Sequence, residues 1–161
     1  LRNTHKLLFV SYRGTKLGAQ ICCRNYTNIF DDSILIFVFV NGEEQKRDIL
    51  LPRLVDNILK GVAITLQGEE GISINPIHVR DAADYLQKVL SISESQTINV
   101  AGKDTYSLKA ICDLIGEKVG KEPNYEYVDQ SAKSLIADTS LLNKHFGLPI
   151  VALSDGLYDL L

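Results

Sequence analysis

Ile74-Asn75-Pro76-Ile77-His78-Val79-Arg80-Asp81-Ala82-Ala83-Asp84-Tyr85-Leu86 joins a short apolar strand to an amphipathic helix with almost no loop between them. Pro76 disfavours helical backbone at Asn75 and donates nothing to a ladder, so the strand belongs at a sheet edge or just inside one. The helix is expected from Asp81, with Ala82, Ala83, Leu86, Val89 and Leu90 turned inward. Asp81 and Asp84 then read as charges complementing its N-terminal dipole. A strand feeding directly into a helix is the building unit of α/β folds, and the flanking segments repeat the alternation.

Upstream, Val62, Ile64 and Leu66 alternate with Ala63, Thr65 and Gln67, which predicts a half-buried strand before a turn through Gly68 to Gly71. Before that, Leu51, Leu54, Val55, Ile58 and Leu59 follow the helical period between Pro52 and the C-terminal signals Lys60 and Gly61. The run from Ile34 to Val40 is apolar at every position and predicts a strand covered on both faces, the most buried of the chain. Asn41-Gly42 ends it, and Glu43 to Arg47 form a solvated loop. Residues Ser11 to Phe30 suit a helix with Tyr12, Lys16 and Gln20 on one face.

Downstream, Thr97-Ile98-Asn99-Val100 reads as a strand closed by Ala101-Gly102. Ser107 is placed to cap a helix using Leu108, Ile111, Leu114, Ile115 and Val119, with Gly120 just past its end. Tyr125 to Val128 make one more strand, Asp138 caps a short helix carrying Leu141, Leu142 and Phe146, and Ser154 to Leu161 form a last helical turn or two. Tyr106, Tyr125 and Tyr127 are read as core and rim.

The composition fits a soluble globular chain. Its 161 residues suffice for a domain burying about 70% of its unfolded surface. The 17 basic side chains are scattered and outnumbered by 20 acidic ones, which argues against a nucleic-acid face. No apolar run approaches the roughly 20 residues of a membrane helix. Cys22, Cys23 and Cys112 lack metal-ligand spacing and are expected to be buried thiols in a reducing cytoplasm. With Leu first and no Met, the chain reads as a fragment or a processed piece.

Tyr12-Arg13-Gly14-Thr15-Lys16 fits Tyr-x-x-x-Lys on a helix that leads into an apolar strand. A tyrosine of pKa about 10 is a poor base at neutral pH, and an ammonium one helical turn away favours its phenolate. Together with the Ile-His-Val-x-Asp-x-Ala pattern of residues 77–83, Thr97-Ile98-Asn99-Val100-Ala101-Gly102 and Phe146-Gly147-Leu148-Pro149, this order resembles the extended short-chain dehydrogenase/reductases, the NAD-dependent epimerase and dehydratase family. The resemblance implies an α/β fold: the C-terminal part of a Rossmann-like parallel sheet plus a small mixed α/β substrate-binding domain. Residues 1–61 would end the Rossmann-like layer, whose N-terminal half is absent, and 62–161 would form the substrate-binding domain.

The resemblance also implies NAD or NADP as cofactor, hydride transfer, and Tyr12 as the acid/base with Lys16 tuning it and holding the cofactor ribose. Phe37 would join Tyr12 and Lys16 at the cofactor, and Phe39, Asn41, Leu51 and Ile74 would contact a small-molecule substrate. Ile36 and Ile74 stand where many members carry arginine, so a less charged carbonyl or alcohol stays open beside a sugar nucleotide. A homodimer through the helix bearing the Tyr-Lys pair would follow the family habit. No glycine-rich phosphate turn follows a strand, so the chain alone is expected to be inactive, and a non-catalytic binding module is the alternative. No metal site is expected. His78 is read as structural, and His145 as a partner of helix-terminal carbonyls.

Overall fold

Pro76 splits the quoted stretch into two short strands that join different layers. The computed structural model describes residues 2–30 and 32–161, with the side chains of 2–13 and 28 outside that description. Its elements are α1 (Arg2–Phe30), β1 (Ile34–Phe37), β2 (Val40–Asn41), α2 (Leu50–Lys60), β3 (Ile64–Gln67), β4 (Ser73–Ile74) and β5 (Ile77–His78). They continue with α3 (Val79–Lys88), β6 (Thr97–Val100), β7 (Tyr106–Ser107), α4 (Leu108–Val119), β8 (Tyr125–Val128), α5 (Ser140–Phe146) and α6 (Leu153–Gly156). Tight 3-10 turns follow α3 at Val89–Ser91 and α6 at Leu157–Leu160.

The strands pair as short ladders. β1 runs parallel to β6 with Ile34 opposite Thr97, and β2 parallel to β5 with Asn41 opposite His78. β3 runs parallel to β8, while β4 pairs antiparallel with β7. The cores follow the same division. Leu51, Leu54, Val55 and Ile58 of α2 pack with Ile64 and Leu66 of β3, Ile74 of β4 and Ile111, Cys112 and Ile115 of α4; Leu153, Leu157 and Leu160 close this first core. The second core joins Ile77, Ala82, Tyr85, Ile98, Val100 and Leu142. The division expected at residue 61 therefore runs through one core, because the inward face of α2 is covered by α4.

Local signals place most element ends. Gly61 and Gly120 stop α2 and α4 at φ 69° and 66°, in the left-handed region that glycine enters without a Cβ penalty. Ser107 Oγ accepts from Ala110 N at 3.1 Å and caps α4. Asp138 Oδ1 accepts from Ser140 N at 2.9 Å at the start of α5.

The structure departs from expectation in several places. β1 is half-buried with Phe37 43% exposed, not the most buried strand, since among the described residues β6 is its one ladder partner. α3 turns Asp81, Ala82 and Tyr85 inward and leaves Ala83, Leu86 and Leu90 outside. The carboxylate of Asp81 sets that rotation by accepting from Ile150 N at 3.1 Å and Val151 N at 2.9 Å. Two charge-assisted bonds match the gain from burying one leucine, so the helix turns its acidic edge in. Cys22 and Cys23 are exposed on α1, whereas Cys112 is buried. His145 meets Gln96 Oε1 at 2.9 Å rather than terminal carbonyls, because α5 lies against β6 and the segment before it.

Candidate functional site at the end of the first strand

β1 and β2 are one strand interrupted where it changes partner. Val38 N donates to Val100 O at 3.0 Å, the last bond to β6, and Phe39 O accepts from Ile77 N at 3.2 Å, the first to β5. Between those bonds the backbone takes φ 50° at Phe39. A bulky side chain at positive φ is strained by roughly 1–3 kcal/mol and persists only where surrounding contacts hold it. Ladders on both sides hold this one. In open α/β folds ligands bind outside the carboxyl ends of the parallel strands.

Beyond the switch the backbone is tightly fitted. Asn41 is 2% exposed, its Nδ2 donates to Ile77 O at 2.9 Å, and its Oδ1 is buried without a hydrogen-bond partner. Gly42 has no room for a side chain, since a Cβ there would lie 2.3 Å from Val79 Cγ1. Gln45 Nε2 donates to Val40 O at 2.7 Å and folds the following loop back over β2.

The residues named from sequence divide by position. Phe37 presents an exposed face at the end of β1, and Phe39 is half-buried against the first core. Leu51 and Ile74 lie inside that core, with Ile74 fully covered, so they support the site from below rather than open onto it. Lys16 is exposed on α1, which packs against β1. Tyr12 falls on the same helix, and its side chain lies outside the described residues.

His78 is buried and committed at both nitrogens. Nδ1 accepts from Arg80 N at 3.3 Å, and Nε2 lies 2.8 Å from Asp159 Oδ2. Three further residues escaped the sequence reading. Asn75, 3% exposed, donates to Ala137 O at 2.9 Å and accepts from Ala137 N at 3.0 Å, tying the break between β4 and β5 to the segment before α5. An asparagine before proline between apolar residues was the available signal. Tyr85 donates to Gly147 O at 3.0 Å, and Asp159 lies 81 residues from the histidine it meets, a distance that no local pattern spans. Burial pushes the Tyr85 phenol up to about 12, and raises Tyr125 as well, so neither supplies a base at neutral pH. Among the described residues no group of three or more His, Cys, Asp and Glu converges as a metal site.

No protein-family model matches the chain. It is 26% identical over 155 residues to an uncharacterized UDP-glucose epimerase, YtcB, of Bacillus subtilis, an alignment covering 91% of this chain and 49% of that protein. It superposes with a TM-score of 0.78 on the UDP-glucuronic acid 4-epimerase of Bacillus cereus, solved in complex with NAD, at 25% identity over 92% of this chain and 50% of that one. The chain is similar to sugar-nucleotide epimerases over about nine-tenths of its length. The fold alone is shared with UDP-glucose 4-epimerase of Thermus thermophilus, at a TM-score of 0.76 and 19% identity, over 92% of this chain and 51% of that one. The chain spans about half the length of the epimerases it matches.

Proposed function

We propose that this chain is the acid/base and substrate-facing portion of an NAD(P)-dependent epimerase, dehydratase or reductase that acts on a sugar nucleotide or another hydroxyl or carbonyl substrate. One observation carries the reading: the strained partner switch at Phe39 lies on the strand that follows the Tyr12–Lys16 helix, with Phe37 exposed beside it. The similar epimerase of B. cereus, solved with UDP-glucuronic acid and NAD, favours a sugar nucleotide.

In this reading residues 1–61 end the nucleotide-binding layer and add the following helix, α2, whose inward face packs into the core of the substrate domain formed by 62–161. Tyr12 exchanges a proton with a substrate hydroxyl or carbonyl, and the Lys16 ammonium one turn away stabilises its phenolate. Lys16 and Phe37 fit the nicotinamide-ribose end of the cofactor, which when bound accepts and returns hydride. The sequence carries no glycine-rich turn for the pyrophosphate, so this chain alone binds NAD(P) weakly. Phe39 and Asn41 shape the substrate side, with Leu51 and Ile74 beneath them. The exposed apolar face of α1, including Leu17 and Ile21, suits a homodimer, and the free thiols of Cys22 and Cys23 suit a reducing cytoplasm.

Incubating the protein that carries this chain with NAD and UDP-glucose or UDP-glucuronic acid tests the reading. The expected result is an epimerised or dehydrated sugar, separable by chromatography, with transient reduced nicotinamide. The apolar Phe39 and the covered Ile74 favour a second reading, a ligand-binding module without chemistry. Saturable sugar-nucleotide binding with no sugar product and no reduced nicotinamide would establish that one instead.

A further inference from the structure

The loop of residues 42–49 leaves the candidate site at Gly42 and is held at both ends by the last turn of the chain. Arg47 Nη1 donates to Leu160 O at 2.9 Å while its guanidinium pairs with Asp56 of α2. At the other end, Arg80 Nη2 lies 3.3 Å from Glu43 Oε1 and 3.5 Å from Asp159 Oδ2. Asp159 Oδ2 is also the acceptor of His78 Nε2 at 2.8 Å, and His78 stands opposite Asn41 in the β2–β5 ladder. Gly156 closes the contact, since a Cβ there would lie 2.7 Å from His78 Cδ2 and 3.3 Å from Asn41 Oδ1.

We propose that the turn Leu157–Leu160 is a positioning element for the substrate side of the site, with Asp159 acting through His78 and Arg80 to hold Asn41, Gly42 and Glu43. By fixing the residues just after the switch, Asp159 holds Phe39 in its strained backbone. The functional half of this inference rests on the reading of Phe39 as a substrate contact, with the buried Asn41 behind it; the mechanical half does not. The two links differ in weight. Arg80 and Glu43 are each 67% exposed and gain little from pairing in water, whereas the His78 and Asp159 side chains are 3% and 20% exposed. The imidazole bond therefore carries most of the coupling.

Hydrogen–deuterium exchange on Asp159→Ala and Asp159→Asn tests it. Asparagine keeps an oxygen for His78 Nε2–H, so it restores most of what alanine loses. In Asp159→Ala the amides of residues 38–45 exchange about tenfold faster while those of β3, β8 and α4 hold their rates, and Asp159→Asn stays near wild type. Unchanged exchange at 38–45, or an equal rise throughout, would overturn the proposal. In the protein that carries this chain, Asp159→Ala raises KM for UDP-glucose about tenfold with kcat within about twofold; an equal fall in kcat with KM unmoved contradicts positioning. If wild type leaves UDP-glucose unchanged, the functional reading fails while the exchange rates still decide whether the turn holds the loop.

Discussion

Asp81 is a buried carboxylate held by two backbone amides, and its removal strands both. Asp81→Ala should lower stability by about 2–4 kcal/mol, read as a lower urea midpoint at unchanged slope. Asp81→Asn, which keeps one acceptor oxygen, should lose less. Cys112 lies at the opposite extreme of reactivity from Cys22 and Cys23. Its thiol is pushed up to about 12, first by burial and then by Asp113, so iodoacetamide should label Cys22 and Cys23 in the folded chain and reach Cys112 only on unfolding. Labelling of Cys112 at the exposed thiols' rate would refute its burial.

The raised tyrosines, Tyr85 among them, and the raised Cys112 thiol set an alkaline limit. Folding lifts Tyr85 from 10.0 to about 12 and Cys112 from 9.0 to about 12. The folded state therefore holds more protons than the unfolded state across this range, and stability falls as pH rises. The contribution is full below pH 9 and declines as pH climbs from about 9 to about 12. Tyr85→Phe should flatten the decline above pH 10 in denaturant titrations at stepped pH.

At the scale of elements, the signals that sequence exposes are those that act within a few residues. Gly61, Gly120 and Ser107 mark helix ends because caps and left-handed residues are local, and Ser107→Ala should cost about 1 kcal/mol in the same denaturant assay. Gly102 is tighter, since a Cβ there would lie 2.0 Å from Pro76 O, and backbone cannot step aside as a side chain can. Gly102→Ala should therefore prevent normal packing of β6 against the break after β4, seen as loss of the cooperative transition. Burial was less legible than element type. The apolar run of β1 reads as doubly covered, but coverage depends on what lies alongside, and the inward face of α3 depends on amides near residue 150. Phe39 shows the limit most directly: its apolar neighbours read as uninterrupted strand, and only the change from β6 to β5 reveals its positive φ.

At the scale of the molecule, the chain builds two cores, and the candidate site lies where β1 and β2 cross from one pairing to the next. The resemblance to epimerases was legible from the order of segments, from Tyr12 through Asp81 to Pro149. What the geometry adds at the end of β1 is strain at Phe39, an exposed Phe37, and a loop held by the turn Leu157–Leu160. No helix among the described residues is long and apolar enough to cross a membrane. The central claim is that Tyr12 moves the proton. Tyr12→Phe, assayed in the protein that carries this chain with NAD and UDP-glucose, should lower kcat by about a hundredfold or more while the circular dichroism and NAD affinity stay as in wild type; turnover at the wild-type rate would contradict it.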